Sequence, residues 1–216
     1  MRCGVMSRFA SRWRYARRHG FLAAGRALRD RWVYRSYRCV ITHSVAAGPP
    51  ALDHIGDVTF RVATPSDYDR LHDLERYGRG ERSRRYVSDD DDRLVVACHG
   101  DRIIGSRRLS RVIRDNVVAR VMKLGPGKFW GADLFCLPEY RNRGVGRHLN
   151  IFGDRYMATL GYTDHFGSIT ATNVASLRAS RAAGSEAVCC VSYVKVLFWE
   201  RLRVSKDVPE HLWNAS

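Results

Sequence analysis

Apolar residues recur along this chain with two different periods, which predict alternating strands and helices. Alternating or continuous apolar runs bounded by turn residues are typical of strands. A tight turn at His99-Gly100-Asp101 joins two of these runs into a hairpin. The predicted strands are Val58–Val62, Leu94–Cys98, Ile103–Val112, Phe129–Leu137, Phe166–Ala171 and, as one or two strands, Val188–Arg203.

Two segments have the apolar spacing of an amphipathic helix, Gly144–Leu160 and Asn173–Ala183, and a glycine follows each of them. A further helix is predicted to run to Tyr77, because Thr64 suits a helix cap and Pro65 suits the first helical position. Helices therefore alternate with strands after a β-hairpin. This order predicts a mixed α/β fold with a partly antiparallel central sheet flanked by helices.

Positive charge is concentrated at the N-terminus. The formal net charge is +15, and residues 1–40 hold eleven arginines with Asp30 as the single acidic residue. Apolar residues spaced among these arginines predict one or two basic helices followed by an extended piece. Val45–Pro50 has the composition of a linker. We therefore predict a basic helical extension with its linker over residues 1–50 and a second domain over residues 51–216, and we expect that domain to fold alone.

The basic extension has three candidate roles. Its charge attracts polyanions, which include anionic membrane surfaces and nucleic acid. A solvated appendage packed on the second domain fits as well. Phe9, Trp13, Phe21 and Leu22 would give residues 1–40 apolar groups for insertion, so we favour an anionic membrane over nucleic acid.

The six cysteines show neither metal-ligand nor redox spacing. Several of them lie in apolar, strand-like runs, which indicates buried reduced thiols of a cytosolic protein. The sequence contains no metal-ligand pattern among its histidines and no apolar run long enough to span a bilayer. The expected location is the cytoplasm, peripheral to the membrane.

The segment Pro138–Arg147 carries the clearest chemical signal. It follows an apolar strand and leads through three arginines into a predicted helix. The first N–H groups of a helix have no intrahelical partner, so with the helix dipole they form an anion site. Gly144 and Gly146 lack side chains and let a pyrophosphate approach the backbone. The loop is neither a P-loop nor a dinucleotide fingerprint, because the lysine and the third glycine are absent. An ordinary strand-to-helix turn is the alternative.

Two motifs together resemble the GNAT superfamily of N-acetyltransferases. Arg141-x-x-Gly144-x-Gly146, placed after a hydrophobic strand, looks like its acyl-CoA signature. A later strand followed by Asn173-x-x-Ser176 resembles a second element in the expected order. The resemblance covers most of the second domain. It implies a central sheet splayed in a V, acetyl-CoA as cosubstrate, and transfer of an acetyl group to an amine.

The resemblance also implies which residues contact acetyl-CoA. Backbone groups of the strand before the loop are implied to pair with the pantetheine arm, and the loop amides to hold the pyrophosphate. Asn173 is implied to contact the pantetheine or to order the splayed strands, and Ser176 to reach a phosphate oxygen. The implied binding residues are Leu134, Phe135, Cys136, Arg141, Asn142, Arg143, Gly144, Val145, Gly146, Arg147, Asn173 and Ser176.

The usual catalytic residues of the superfamily are missing. Its members often place a tyrosine acid seven residues after the motif asparagine and sometimes a glutamate base five residues before it. Here these positions hold Ser180 and Ser168. Asp133 is our candidate base, because it interrupts an apolar strand where burial would raise the pKa of a carboxyl. A hydrogen-bonded structural aspartate is the alternative; Asp164 and His165 are weaker candidates, and ordered water is another proton carrier.

Three functions remain open at this point. The leading hypothesis is an acetyl-CoA-dependent N-acetyltransferase that acts on a small amine, an amino sugar or a protein amine. A non-catalytic acyl-CoA-binding regulator fits the missing tyrosine and glutamate. A nucleic-acid-binding protein fits the basic extension. The sequence leaves the acceptor, the acyl-chain preference and the oligomeric state, a dimer included, undetermined.

Overall fold

The computed structural model describes residues 34–46, 54–71, 74, 87 and 90–208. None of the helices within these ranges is long and apolar enough to cross a membrane. The described elements are β1 (Tyr34–Val45), β2 (His54–Ile55), β3 (Val58–Val62), β4 (Asp92–His99), β5 (Arg102–Ser110), β6 (Lys128–Cys136), α1 (Val145–Thr159), β7 (Asp164–Thr170), α2 (Val174–Ala182), β8 (Glu186–Val196) and β9 (Trp199–Ser205).

The chain divides into two compact units. The larger unit comprises Cys39–Cys190 and Val204–Ser216, and the smaller one comprises Met1–Arg38 and Val191–Arg203. In the larger unit the strand order is β2-β3-β4-β5-β6-β7-β1. Neighbouring strands are antiparallel except β6 and β7, which are parallel. The sheet is therefore mixed and mostly antiparallel, which confirms the predicted fold class.

The apolar pattern predicted most of these elements because each one buries a periodic face. The hairpin of β4 and β5 turns at Gly100, whose φ of +57° lies in the left-handed region that favours glycine. Helix α1 packs against β3, β4, β5 and β6, and its buried residues include Val145, Leu149 and Met157. The predicted helices of the basic extension fall outside the described residues.

The helix expected after Thr64 begins as a 3₁₀ turn over Pro65–Asp67. The Asp67 carboxylate accepts a hydrogen bond from the Thr64 N–H at 2.9 Å and two from Arg61 at 2.6 Å each. Arg61 lowers the pKa of Asp67 to about 2. The side chain thus closes a tight first turn and anchors it to β3, which a cap pattern alone does not reveal.

The predicted extension contains a strand of the central sheet. Residues 39–45 of β1 pair with β7 in a register that runs from Cys39 opposite Thr170 to Val45 opposite Asp164. Cys39, Val40 and Ile41 are fully buried. The boundary drawn at residue 50 therefore separates β1 from strands to which it is hydrogen-bonded. The sequence predicted an extended piece after the basic helices, but not its pairing with β7, because that partner lies more than a hundred residues away.

In the smaller unit, β8 and β9 are neighbouring strands. Residues 197 and 198 form the turn between them. Tyr193 donates a hydrogen bond to Glu200 across this hairpin at 3.0 Å. The sequence predicted one or two strands here, and the structure has two.

Candidate active site

A cleft opens where the two parallel strands separate. Strands β6 and β7 pair from Lys128 opposite Asp164 to Gly131 opposite Gly167, and no further pairing follows along these two strands. Beyond this point, β6 is hydrogen-bonded to β5 and β7 to β1. One edge of residues 132–136 therefore faces the gap, and this half of β6 is only half-buried. The V-shaped splay confirms the architecture predicted from the resemblance.

A β-bulge lies at the start of the open edge. Arg108 pairs with Ala132 and Ser106 pairs with Phe135, so Asp133 and Leu134 together oppose one residue of β5. Asp133 has a φ of +53°, in the left-handed region that a non-glycine residue seldom adopts. Bulges of this kind change the direction of side chains and are common beside active sites.

The cleft has a volume of about 250 Å³. Helix α2 and the N-terminal turns of α1 contribute to its walls, along with the two splayed strands. It is lined by Thr42, Arg107, Gly131, Ala132, Asp133, Leu134, Asn150, His165, Gly167, Ser168, Ile169, Thr170, Asn173, Ser176 and Ser180.

The loop into α1 has the features of an anion site. Gly144 caps the helix, and no side chain in the described part of the chain caps its first N–H groups. Arg141 lies 6.0 Å from the ring of Phe135 and donates from Nε to the Cys136 carbonyl at 3.2 Å. Arg143 lies 5.6 Å from the ring of Tyr140. Both guanidinium groups are thus supported on aromatic faces beside the uncapped helix end.

The two loop glycines serve different purposes. Gly144 has a φ of +80°, so the backbone itself favours glycine there. Gly146 sits in the first turn of α1 with ordinary helical geometry, and a Cβ at this position would meet only the Leu134 side chain, at 3.8 Å. The fold therefore has room for a side chain at Gly146, and its absence leaves the space next to Leu134 open.

Helix α2 brings its predicted residues to the cleft, whereas residues 141–147 of the loop into α1 do not line it. Asn173 caps the helix by accepting a hydrogen bond from the Ser176 N–H at 3.2 Å. Both residues line the cleft, as do Ser180 and Ser168, which stand where the superfamily often has its tyrosine and glutamate. The two serines that replace the usual tyrosine and glutamate therefore both line this cleft. Neither serine hydroxyl has the acidity of a phenol or a carboxyl group.

Asp133 reaches the cleft, but its surroundings are not the apolar ones that the sequence predicted. Its carboxylate lies 3.4 Å from Nε of Arg108 and is partly exposed. Arg108 also lies 3.8 Å from the buried Asp92, which accepts a hydrogen bond from Arg114 at 3.1 Å. The carboxylate is therefore part of a charged cluster, because two arginines neighbour two acids here.

A buried cluster forms another part of the cleft, and the sequence analysis named only one of its members, His165, as a weaker candidate base. Arg107, only 2% exposed, donates hydrogen bonds to Asp154 at 2.9 Å, to the Asn150 carbonyl at 2.9 Å and to Nε2 of His165 at 2.7 Å. Gly131 leaves space for this cluster, because a Cβ at that position would overlap both Arg107 and His165. The only sequence signal was a pair of arginines inside an otherwise apolar strand.

Electrostatics fix the protonation states of this cluster. Burial alone would raise the pKa of Asp154, but the protonated form of His165 and the Arg107 guanidinium outweigh burial and lower the pKa to about 2. Burial lowers the pKa of His165 although Asp154 opposes it. The imidazole is therefore neutral near neutral pH. Because arginine only donates, Nε2 accepts and Nδ1 carries the proton, with Ser44 Oγ 3.0 Å away.

Cys136, one of the predicted binding residues, lies at the end of the open edge. Burial raises the pKa of its thiol to about 11. The thiol therefore stays protonated near neutral pH, and its sulfur is a poor nucleophile. Among the described cysteines, all five are free thiols.

Comparison with known proteins assigns the family. Residues 58–184 match the profile of the acetyltransferase (GNAT) family, and this match spans more than half of the chain. The chain therefore belongs to the GNAT acetyltransferase family. A search of curated proteins found no match.

Solved structures share the fold at low sequence identity. A Drosophila protein superposes with a TM-score of 0.53 at 19% identity, over 82% of this chain and 58% of that one. A GNAT-family protein from Novosphingobium aromaticivorans gives 0.52 at 15% identity, over 81% and 66%. A GCN5-related N-acetyltransferase from Sphaerobacter thermophilus gives 0.50 at 19% identity, over 81% and 56%. The chain thus spans less than two thirds of the length of each.

Proposed function

We propose that this protein transfers an acetyl group from acetyl-CoA to a primary amine carried by a small amine, an amino sugar or a protein. The observation that carries the proposal is the open edge of residues 132–136, which is followed, after the loop of residues 137–144, by the uncapped N-terminus of α1. A strand edge suits the amide groups of a pantetheine arm, and a helix N-terminus suits a pyrophosphate.

The residues around the cleft fit acetyl-CoA on two further grounds. The space next to Gly146 is empty, although a side chain there would fit without disturbing the fold. Arg141 and Arg143 add positive charge at the same end of the helix. In this proposal, the backbone of Leu134, Phe135 and Cys136 positions the arm, and the amides of Asn142 to Arg147 bind the phosphates. Asn173 and Ser176 complete the wall opposite β6.

Acetyl-CoA should stabilise the protein, and a side chain at Gly146 should prevent this. A ligand at a hundred times its Kd adds about 2.7 kcal/mol to the free energy of unfolding, which thermal unfolding detects readily. We expect Gly146→Leu to abolish the shift. Its unliganded melting temperature should not fall, since leucine favours a helix more than glycine by up to about 1 kcal/mol.

Gly144→Ala is the matched variant for that measurement. It should lower the unliganded melting temperature, because a left-handed residue with a Cβ costs roughly 1–2 kcal/mol. NADH and ATP serve as control ligands. A shift with either of them and none with acetyl-CoA would refute the proposed cosubstrate.

For the base, we propose Asp133, the carboxylate at the bulge of β6. Asp133→Asn should lower turnover by at least about a hundredfold and leave acetyl-CoA affinity unchanged, because the amide cannot accept the proton of an ammonium group. Asp91→Asn is the control, since Asp91 is half exposed, pairs with Arg111 at 2.9 Å and does not line the cleft. Steady-state rates, together with the thermal shift, measure both effects. An active Asp133→Asn protein that only melts earlier would assign Asp133 a structural role.

A non-catalytic acyl-CoA-binding regulator is the second candidate, favoured by the presence of Ser180 and Ser168 in the cleft. A screen of amine acceptors monitored by release of free CoA thiol separates the two functions. Turnover with any amine supports the transferase. Binding of acetyl-CoA without thiol release across small amines, amino sugars and peptides supports the regulator.

A further inference from the structure

The turn between β8 and β9 has residues that its backbone disfavours. The turn consists of Leu197 and Phe198, and Leu197 has a φ of +53°. Two-residue hairpin turns with positive φ favour asparagine, aspartate or glycine, because a Cβ crowds the backbone in the left-handed region. A bulky apolar residue there is a local conflict between sequence and structure. Such conflicts commonly mark function.

The same turn presents its apolar side chains to solvent. Phe198 is 99% exposed, Trp199 55% and Leu197 51%. Single exposed apolar residues are common on protein surfaces, but three in succession at the end of a hairpin form a contiguous patch. We refer to Leu197, Phe198 and Trp199 as the apolar tip.

Basic residues flank the apolar tip on both strands. Lys195 precedes it, and the exposed Arg201 and Arg203 follow it on β9. Glu200, the acid between them, accepts a hydrogen bond from Tyr193 within the hairpin. The hairpin end therefore combines an apolar extremity with an excess of positive charge just behind it.

We propose that the apolar tip inserts into the interface of an anionic lipid membrane, with Lys195, Arg201 and Arg203 contacting the headgroups. Tryptophan is favoured at the level of the headgroups, and basic side chains next to inserted apolar groups gain from the negative surface potential. This proposal is independent of acetyl transfer and of the basic extension.

Charge and shape favour a membrane over another protein surface. Three side chains at a protruding turn cover far less area than the roughly 800 Å² per partner of a stable protein interface. A second copy pairing along the edge of β9 would bring Arg201 and Arg203 close to the same basic residues of its twin. Charged edge residues of this kind oppose such pairing.

Flotation of the full-length chain with lipid vesicles tests the proposal. Equimolar phosphatidylserine and phosphatidylcholine should bind the protein, and pure phosphatidylcholine should bind it much less. The variant Leu197→Asn with Phe198→Gly should bind the anionic vesicles roughly tenfold more weakly or worse, because it lacks the inserted apolar area. Its melting temperature should stay the same or rise, because asparagine and glycine suit the turn. If the apolar tip served only to stabilise the fold, the double variant would have a lower melting temperature than the parent.

Two matched controls locate the effect. Val188→Asn removes a similarly exposed apolar side chain of β8, 45% accessible, and should leave vesicle binding unchanged. Trp199→Phe should keep binding and show a smaller blue shift of tryptophan emission on anionic vesicles than the parent, which has four further tryptophans. Equal binding by the parent and the Leu197→Asn, Phe198→Gly variant would overturn the proposal, as would equal binding to neutral vesicles. If that variant had a lower molecular mass in solution than the parent, the apolar tip would be assigned to self-association instead.

Discussion

A chain that begins at Ala51 should fail to fold, although its sequence contains the whole family match. The deletion removes β1, whose residues 39–45 pair with β7 and whose Cys39, Val40 and Ile41 are fully buried. Burial of an aliphatic side chain contributes about 1.5–3 kcal/mol, so these three residues represent several kcal/mol. The deletion also leaves backbone groups of β7 without strand partners. A loss of this size is comparable to the whole free energy of unfolding of a domain, about 5–15 kcal/mol.

Circular dichroism and thermal unfolding of the truncated chain measure this directly. A chain that begins at Tyr34 keeps β1 and is the control, since it too lacks most of the basic extension. We expect cooperative unfolding from the control and no cooperative transition from the shorter chain. Cooperative unfolding of both, with the same acetyl-CoA shift, would show that β1 is dispensable and that the boundary at residue 50 is correct.

Replacement of Arg107 by methionine should destabilise the larger unit by about 3–5 kcal/mol, because it leaves Asp154 in a buried site without its cation. Arg107 donates to three partners from a nearly inaccessible position, so water cannot substitute for it. Arg107→Lys should recover only part of the loss, because an ammonium group lacks the planar fork of donors. Denaturant unfolding gives the difference in free energy.

Arg111→Met is the matched control for this substitution. Arg111 lies 2.9 Å from Asp91, and both side chains are about half exposed, so their ion pair should contribute less than about 1 kcal/mol. The double variant Arg107→Met with Asp154→Leu should recover stability, since it removes the buried acid together with its cation. Equal effects of Arg107→Met and Arg111→Met would contradict the importance of the buried cluster.

Local patterns predicted much of the site. Gly144 and Gly146 lie at a helix start, as the motif spacing predicted, while Asn173, for which the resemblance implied a contact with the pantetheine or an ordering role, caps α2. These features depend on helix ends and turns, whose chemistry is confined to a few consecutive residues. Arg107 and His165 could not be paired in advance, because 58 residues separate them along the chain and the contact depends on the strand order.

The surroundings of Asp133 illustrate the same limit. Its position in an apolar strand predicted burial among hydrophobic groups. The bulge of β6 turns its carboxylate towards Arg108 on the neighbouring strand instead. A bulge adds one residue to one strand of a pair, so it depends on two strands and leaves no periodic signal in either sequence.

The sequence by itself determined most of the strands and helices after Val58, the glycine-containing loop before α1 and the family. Periodicity and helix-end chemistry involve residues that are close together along the chain, so they can be recognised from the sequence alone. Only the tertiary structure decided that β1 belongs to the sheet, that Arg107, Asp154 and His165 share a buried site, and that Leu197, Phe198 and Trp199 are exposed. Each of these depends on which distant segments become neighbours, and that choice follows from the packing of the whole sheet.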